Sequence, residues 1–309
     1  MTQPAPGRQR GAALLTAMVI VSLVATLASA MVWQQWRAVQ VEAAERGRMQ
    51  AGWILTGALD WARLILREDK RDFDSLDEPW TTPLKESPLS AFLSVDKDNT
   101  ENAPEAFLSG SIKDAQERYN LRNVIDEATA KVAPAELTGL KRLFDSAGVS
   151  PDVATRLADG LLAASLGAEG APLMPQTLAQ LVWLGLDADT VQRLAPYVVL
   201  LPVRTPVNLN TASREVIAAS LGVALADANN LVEGRQRGAL KSLEEARKLL
   251  PPTLVLAEGQ AAVSTQFFEV RGELRLEDRV MQERSLVKRD NQGVVTVRRE
   301  RINLNDPGG

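Results

Sequence analysis

Neither cysteine nor histidine occurs anywhere in the 309 residues. Disulfides, thiol nucleophiles, imidazole bases and the common zinc ligand sets are thereby excluded. A carboxylate pair or a serine–lysine pair would survive that loss, but no local arrangement presents one. Charge is missing locally as well: from Gly11 to Trp36 there is no ionisable side chain, and no acidic residue precedes Glu42. Proline is absent between Pro6 and Pro79, so nothing in that stretch forces a helix to break. The formal charge of −4 gives no global attraction to nucleic acid. The length allows about two domains.

What fills the uncharged stretch is apolar. Ala12 to Trp33 is dominated by Ala, Leu, Val, Ile and Met, and roughly 22 residues at 1.5 Å rise span about 33 Å, enough for a bilayer core. Arg8 and Arg10 precede it, which keeps a short leader cytoplasmic and exports the remainder, although Arg37 directly after the run pulls the other way. Ala28-Ser29-Ala30 offers a secretory cleavage site, and a plain signal anchor is a second reading. A third observation separates a special case from both: Arg8-Gln9-Arg10-Gly11 stands flush against Ala12, with no polar spacer. This resembles the prepilin-peptidase leader of type IV pilins and pseudopilins, where cleavage follows the glycine. The resemblance implies that Gly11 ends the leader and that Ala12 becomes a methylated amino terminus. Most pseudopilins carry glutamate as the fifth mature residue, and here that position is Thr16.

Beyond Trp36 the pattern turns amphipathic. Ile54, Ala58, Trp61 and Ile65 recur at helical spacing, with Leu55, Leu59, Ala62 and Leu66 widening the same face. One helix from about Ala12 to about Arg67 is expected, roughly 80 Å long, with Gly47, Gly52 and Gly57 as weak points. Residues 68–104 read as loop with short extended pieces. From about Val124 to Gln260 the sequence is helical in character, and 140–166 and 178–199 each look like two short helices around a Gly-containing turn. After Gln260 the period changes to two: Phe268, Val270, Leu274 and Leu276 alternate with Glu269, Arg271, Glu273 and Arg275. Further strands are expected from Arg279 to Lys288 and from Val294 to Arg301, joined at Asp290-Asn291-Gln292-Gly293. A helical block is thus inserted within an α+β unit.

In order, Glu78-Pro-Trp-Thr, Ile112-Lys-Asp-Ala-Gln-Glu-Arg-Tyr-Asn-Leu-Arg-Asn, Val207-Asn-Leu-Asn-Thr-Ala-Ser and Phe267-Phe268 are similar to the landmarks of the K component of type II secretion systems, a minor pseudopilin. That resemblance implies a pilin-like long amino-terminal helix packed on an antiparallel sheet and interrupted by a large all-α inserted domain. The corresponding segments are a leader at 1–11, the helix at 12–67 with 12–33 transmembrane, a pilin-like domain at 68–123 and 261–309, and the inserted domain at 124–260. It implies no catalysis, a place at the tip of the pseudopilus with the I and J minor pseudopilins and other pseudopilus subunits, and processing by prepilin peptidase. Thr16 in place of the glutamate matches that family, as for a subunit with no neighbour above it. An inner-membrane, single-pass protein with a periplasmic head follows. The family also holds calcium, and Asp96, Asp98, Glu101 and Glu105 concentrate suitable oxygen ligands, without the glycine or the terminal glutamate spacing of an EF-hand.

Two rival readings stand beside this. Val207 to Leu250 resembles a helix-hairpin-helix motif, which would make the chain a membrane-anchored DNA-binding or uptake protein. Its hairpin at 221–225 has one glycine, and Arg235, Arg237 and Lys241 are diluted by Glu233, Glu244 and Glu245, so no nucleic-acid partner is expected. The other is an exported hydrolase with carboxylate chemistry. Trp80, Trp183, Tyr119, Phe267 and Phe268 are expected in the core rather than at an interface.

Overall fold

The computed structural model describes residues 10–69, 72–91, 106–256, 259–276 and 279–302. The chain divides into two compact units, 1–54 and 55–309.

All described residues of the first unit lie in helix α1, Arg10–Glu68, which includes Gly47, Gly52 and Gly57. Its apolar side chains, among them Leu15, Val19, Leu23, Leu27 and Trp33, are exposed. By length and composition α1 is able to cross a membrane. Its hydroxyls are already satisfied within the helix: Thr16 donates to the Ala12 carbonyl at 2.8 Å, Thr26 to Leu23 at 2.9 Å and Ser29 to Ala25 at 2.8 Å. Lipid offers no partner for such groups, so this internal bonding suits a spanning segment.

The second unit begins with the last turns of α1 and holds a five-stranded antiparallel sheet: β1 (Leu84–Pro88), β2 (Ala106–Asp114), β3 (Phe267–Leu276), β4 (Arg279–Asp290) and β5 (Gly293–Ile302). The strands neighbour one another in chain order, yet 152 residues separate β2 from β3. That stretch is the inserted helical block. Alternation fixes the faces: Phe268, Val270, Val287 and Val294 pack under Leu59, Ala62 and Leu66 of α1, with Trp80 and Ile112 closing the cluster. The expected helix face is therefore rotated. Leu55, Leu59, Ala62 and Leu66 form its buried centre, whereas Trp61 is 47% exposed. Gly110 and Gly272 are paired in the ladder. A Cβ on Gly110 would stand 2.7 Å from the Arg271 carbonyl oxygen, and one on Gly272 would stand 3.2 Å from Leu55, so this pair lets backbone and helix approach.

Both sheet edges are blunted. β1 is short and ends at Pro88; β5 carries a register shift beside Leu286 and the charged run Arg298, Arg299, Glu300, Arg301.

The helical block contains α2 (Pro134–Ser146), α3 (Pro151–Ser165), α4 (Ala188–Leu194), α5 (Arg214–Leu221), α6 (Leu225–Gln236) and α7 (Leu243–Arg247). The first expected pair is α2 and α3, with Ser150 capping α3. In the second pair the first member, Leu178–Leu184, is 3-10 rather than α, and it stops at Gly185, whose φ is +86°. Leu140, Phe144, Leu157, Leu161, Leu194 and Leu231 are fully buried in one core. Val199 and Leu201 of the block meet Phe267 and Leu286 on the sheet face opposite α1.

Candidate functional site

Two features stand out: the exposed apolar surface of α1 and a buried polar seam in the head. The Gly11–Ala12 peptide lies near the start of α1, and Thr16 follows one turn later with its hydroxyl turned back on the Ala12 carbonyl. Trp33 and Trp36 stack at 5.3 Å where the apolar run ends, a position at which amphipathic rings favour the membrane–water interface. Past them, Glu42 pairs with Arg46 at 2.6 Å and Glu45 with Arg48 at 2.8 Å, both exposed. Asp96, Asp98, Glu101 and Glu105 lie outside the described residues.

The sequence landmarks converge on the seam. Asp114, at the end of β2, accepts from Gln116 N at 2.7 Å, from Asn208 Nδ2 at 2.8 Å and from Thr211 Oγ1 at 2.6 Å. Asn210 grips the Leu240 backbone from both sides, donating to its carbonyl and accepting from its N–H, each at 2.9 Å. Asn120 reaches the carbonyl of Val203 at 2.7 Å, and Asn123 pairs with both backbone groups of Thr205. Gln116 spans to Pro206 and Gln266. Asp114, Gln116, Asn120, Asn123, Asn208, Asn210 and Thr211 are all buried. These buried side chains tie residues 114–123 to residues 203–211, and Asn210 to Leu240, so together they specify one junction geometry.

At the foot of α1, Asp69, Asp74 and Glu78 bring carboxylate oxygens within 4.8 Å of one another. The resident cation is Arg289 of β4: Nη1 donates to Asp69 at 2.9 Å and Nη2 to Asp74. Glu78 Oε2 is taken by Ser75 N at 2.8 Å and Trp80 Nε1 at 2.9 Å. A metal here would have to displace a buried guanidinium. Burial pushes the Asp74 carboxyl up to about 6, against the pull of Arg289 and the Thr265 N–H, with the charge of Asp114 adding to the rise. Glu269 goes the other way: burial opposes its ionisation, but Arg118 and Arg271 hold it at about 2.

A pH profile follows. Asp74 binds its proton more tightly folded than unfolded, so its contribution to stability is greatest below about 4 and is lost as pH rises through 6, about 3 kcal/mol in all. Asp114 and Glu78, both raised by burial, act in the same sense. Glu269 stabilises above about 4.5, and that contribution is lost toward pH 2. Thermal unfolding of the full chain in detergent should show a maximum near pH 5, and Asp74→Asn should flatten the alkaline side alone. A Tm that rises steadily from pH 5 to 8 would contradict this assignment.

The helix-hairpin-helix segment is built, as α5 and α6, but its basic cluster is not assembled. Arg235 turns inward to donate to the Leu209 carbonyl at 2.6 Å, and burial lowers its pKa to about 10. Gly222, at φ +71°, terminates α5. Trp80, Tyr119, Phe267 and Phe268 are in the core as expected; Trp183 is not, being 48% exposed. Arg289 and Asp74 were not legible as a pair, because only the fold brings them together.

A sequence model of the family described as type II secretion system protein K matches residues 117–203. Protein K of Pseudomonas aeruginosa is 28% identical over 320 residues, covering 94% of this chain and 91% of that protein. The Klebsiella pneumoniae protein K is 32% identical over 256 residues, 74% of either chain. Among solved structures, a chain of the GspK-GspI-GspJ complex from enterotoxigenic Escherichia coli superposes with a TM-score of 0.62 at 19% identity, over 84% of this chain and 98% of that one, which shows a shared fold. With an apolar amino-terminal helix, a meander interrupted by a helical block and this degree of identity, the chain belongs to the type II secretion system protein K family.

Proposed function

We propose that the chain is a non-catalytic minor pseudopilin that caps the periplasmic pseudopilus, held in the inner membrane by α1 until assembly. The observation that carries this reading is the apolar run of α1, uncharged and exposed from Ala12 to Trp36 in a protein whose head is otherwise well packed. That much apolar helix needs lipid or sister helices around it. The blunted edges of the sheet work against association by strand addition, leaving the helix as the surface for assembly. The solved relative was crystallised as a complex of GspK, GspI and GspJ, and we assign proteins of the I and J type as partners here. Thr16, bonded to its own helix, brings no carboxylate to meet a neighbouring ammonium. The leader faces the cytoplasm, prepilin peptidase cuts between Gly11 and Ala12, and the head is periplasmic. Arg235, committed to the Leu209 carbonyl, weakens the DNA-binding alternative.

Mass spectrometry of the protein purified from membranes tests this. The expected amino terminus is N-methylalanine at Ala12; an intact leader or a cut after Ala30 overturns the pseudopilin reading.

A further inference from the structure

Between the last turns of α1 and the sheet lies a cavity of about 280 Å³. The ladder explains why it is there. Gly110 of β2 pairs with Gly272 of β3, and Gly272 with Glu283 of β4. Two adjoining positions of one row thus carry no side chain toward the helix, and the space beside them stays unfilled. Leu55, Leu59, Ala62 and Ile65 of α1 form the roof, and Leu108, Ile112 and Val270 form the floor. Pro79 and Leu84 complete the wall, while Thr82 and Pro83, both exposed, border the mouth. Ser109, Ser111 and Arg271 also adjoin the cavity, but strand alternation turns their side chains to the opposite face.

On the helix-facing side of the sheet, two polar side chains interrupt this apolar lining. Glu283 is buried, and its carboxylate is already matched by Arg299 and, at 3.5 Å, by Arg301. Ser285 stands one row along, paired with Val270 in the ladder, and is only 3% exposed. Val287, two residues further, packs beneath α1, so alternation turns Ser285 toward the helix as well. Its hydroxyl has no hydrogen-bond partner among the described residues. Such a group left unmet in an apolar wall is costly, and a ligand that bonds it gains accordingly. Apolar cavities of about 150 Å³ accept benzene, so this one has room for about ten carbon atoms. The Glu283 carboxylate opposes a second buried carboxylate, and its two arginines leave an incoming cation no charge to neutralise. We propose that the cavity binds a neutral single-chain aliphatic alcohol, its chain between α1 and the sheet and its hydroxyl on Ser285.

The site lies in the head and is independent of the fibre-tip reading, which the amino-terminal mass tests separately. The probe is decanol with a diazirine in its chain, photolysed with the full chain in micelles of a steroid-based detergent, which has no alkyl chain to compete. Peptide mass mapping then locates the label. Labelling of 12–36 reports unspecific partition and should grow linearly with probe, whereas labelling within 55–65, 79–84 and 106–112 should saturate. Unlabelled decanol should displace the saturable label about tenfold better than decanoate at pH 7.5. Ser285→Ala should weaken it about fivefold. Ala58 also borders the cavity, and Ala58→Leu, which suits a helix and adds bulk at the wall, should abolish the saturable fraction. Head labelling that never saturates, equal displacement by decanoate, or wild-type affinity in both variants would overturn the proposal.

Discussion

Arg289→Ala is expected to lower the unfolding free energy by about 3–5 kcal/mol, because it strands a buried carboxylate without its counter-charge. Arg289 and Asp74 are almost wholly inaccessible, and the guanidinium also holds Asp69 and the Thr265 carbonyl. Asp74 in turn accepts the Thr265 N–H at 2.7 Å, and its own carbonyl takes Asn208 Nδ2 at 3.1 Å. One substitution thus loosens the foot of α1, the start of β3 and the seam to the helical block together. Chemical denaturation in detergent at pH 7.5 measures the loss. The deficit should shrink below pH 6, where Asp74 takes up a proton and no longer needs the guanidinium. A pH-independent deficit, or a loss under 1 kcal/mol, would show that the pair is not the keystone of this junction.

Phe268→Ala ranks beside it, at about 3–5 kcal/mol for deleting a buried aromatic ring. Phe268 is inaccessible, Trp80 meets it edge-on at 5.3 Å, and the Arg289 guanidinium carbon lies 4.7 Å from its centroid. Removing the ring opens a cavity under α1 and strips the cation–π contact from Arg289. Because both side chains share that contact, the double variant should be less destabilised than the sum of the singles by roughly 0.5–3 kcal/mol. Simple additivity in denaturation experiments would mean that the ring and the guanidinium do not support one another.

Much of the architecture follows from periodicity, which is local. An uncharged run without proline continues into an amphipathic stretch, and the result is one helix, Arg10–Glu68. Alternation in 267–276 gives β3, and the turn at Asp290–Gly293 joins β4 to β5 close to where the pattern puts it. The helix face was less legible: two adjacent apolar stripes fit equally well, and only the position of the sheet buries Leu59 and Leu66 while leaving Trp61 in the open. The same limit explains Trp183, whose neighbours are apolar but whose 3-10 turn presents it outward.

The amino-acid sequence by itself determined the membrane-competent helix and the interruption of strands by a helical block, since each is written in runs and repeats of neighbouring residues. The tertiary structure alone decided how the buried polar groups are matched. Asp114 meets Asn208 across 94 positions, and Asp74 meets Arg289 across 215. No spacing rule relates residues so far apart; burial makes each partner necessary, and only the folded chain selects which donor reaches which acceptor.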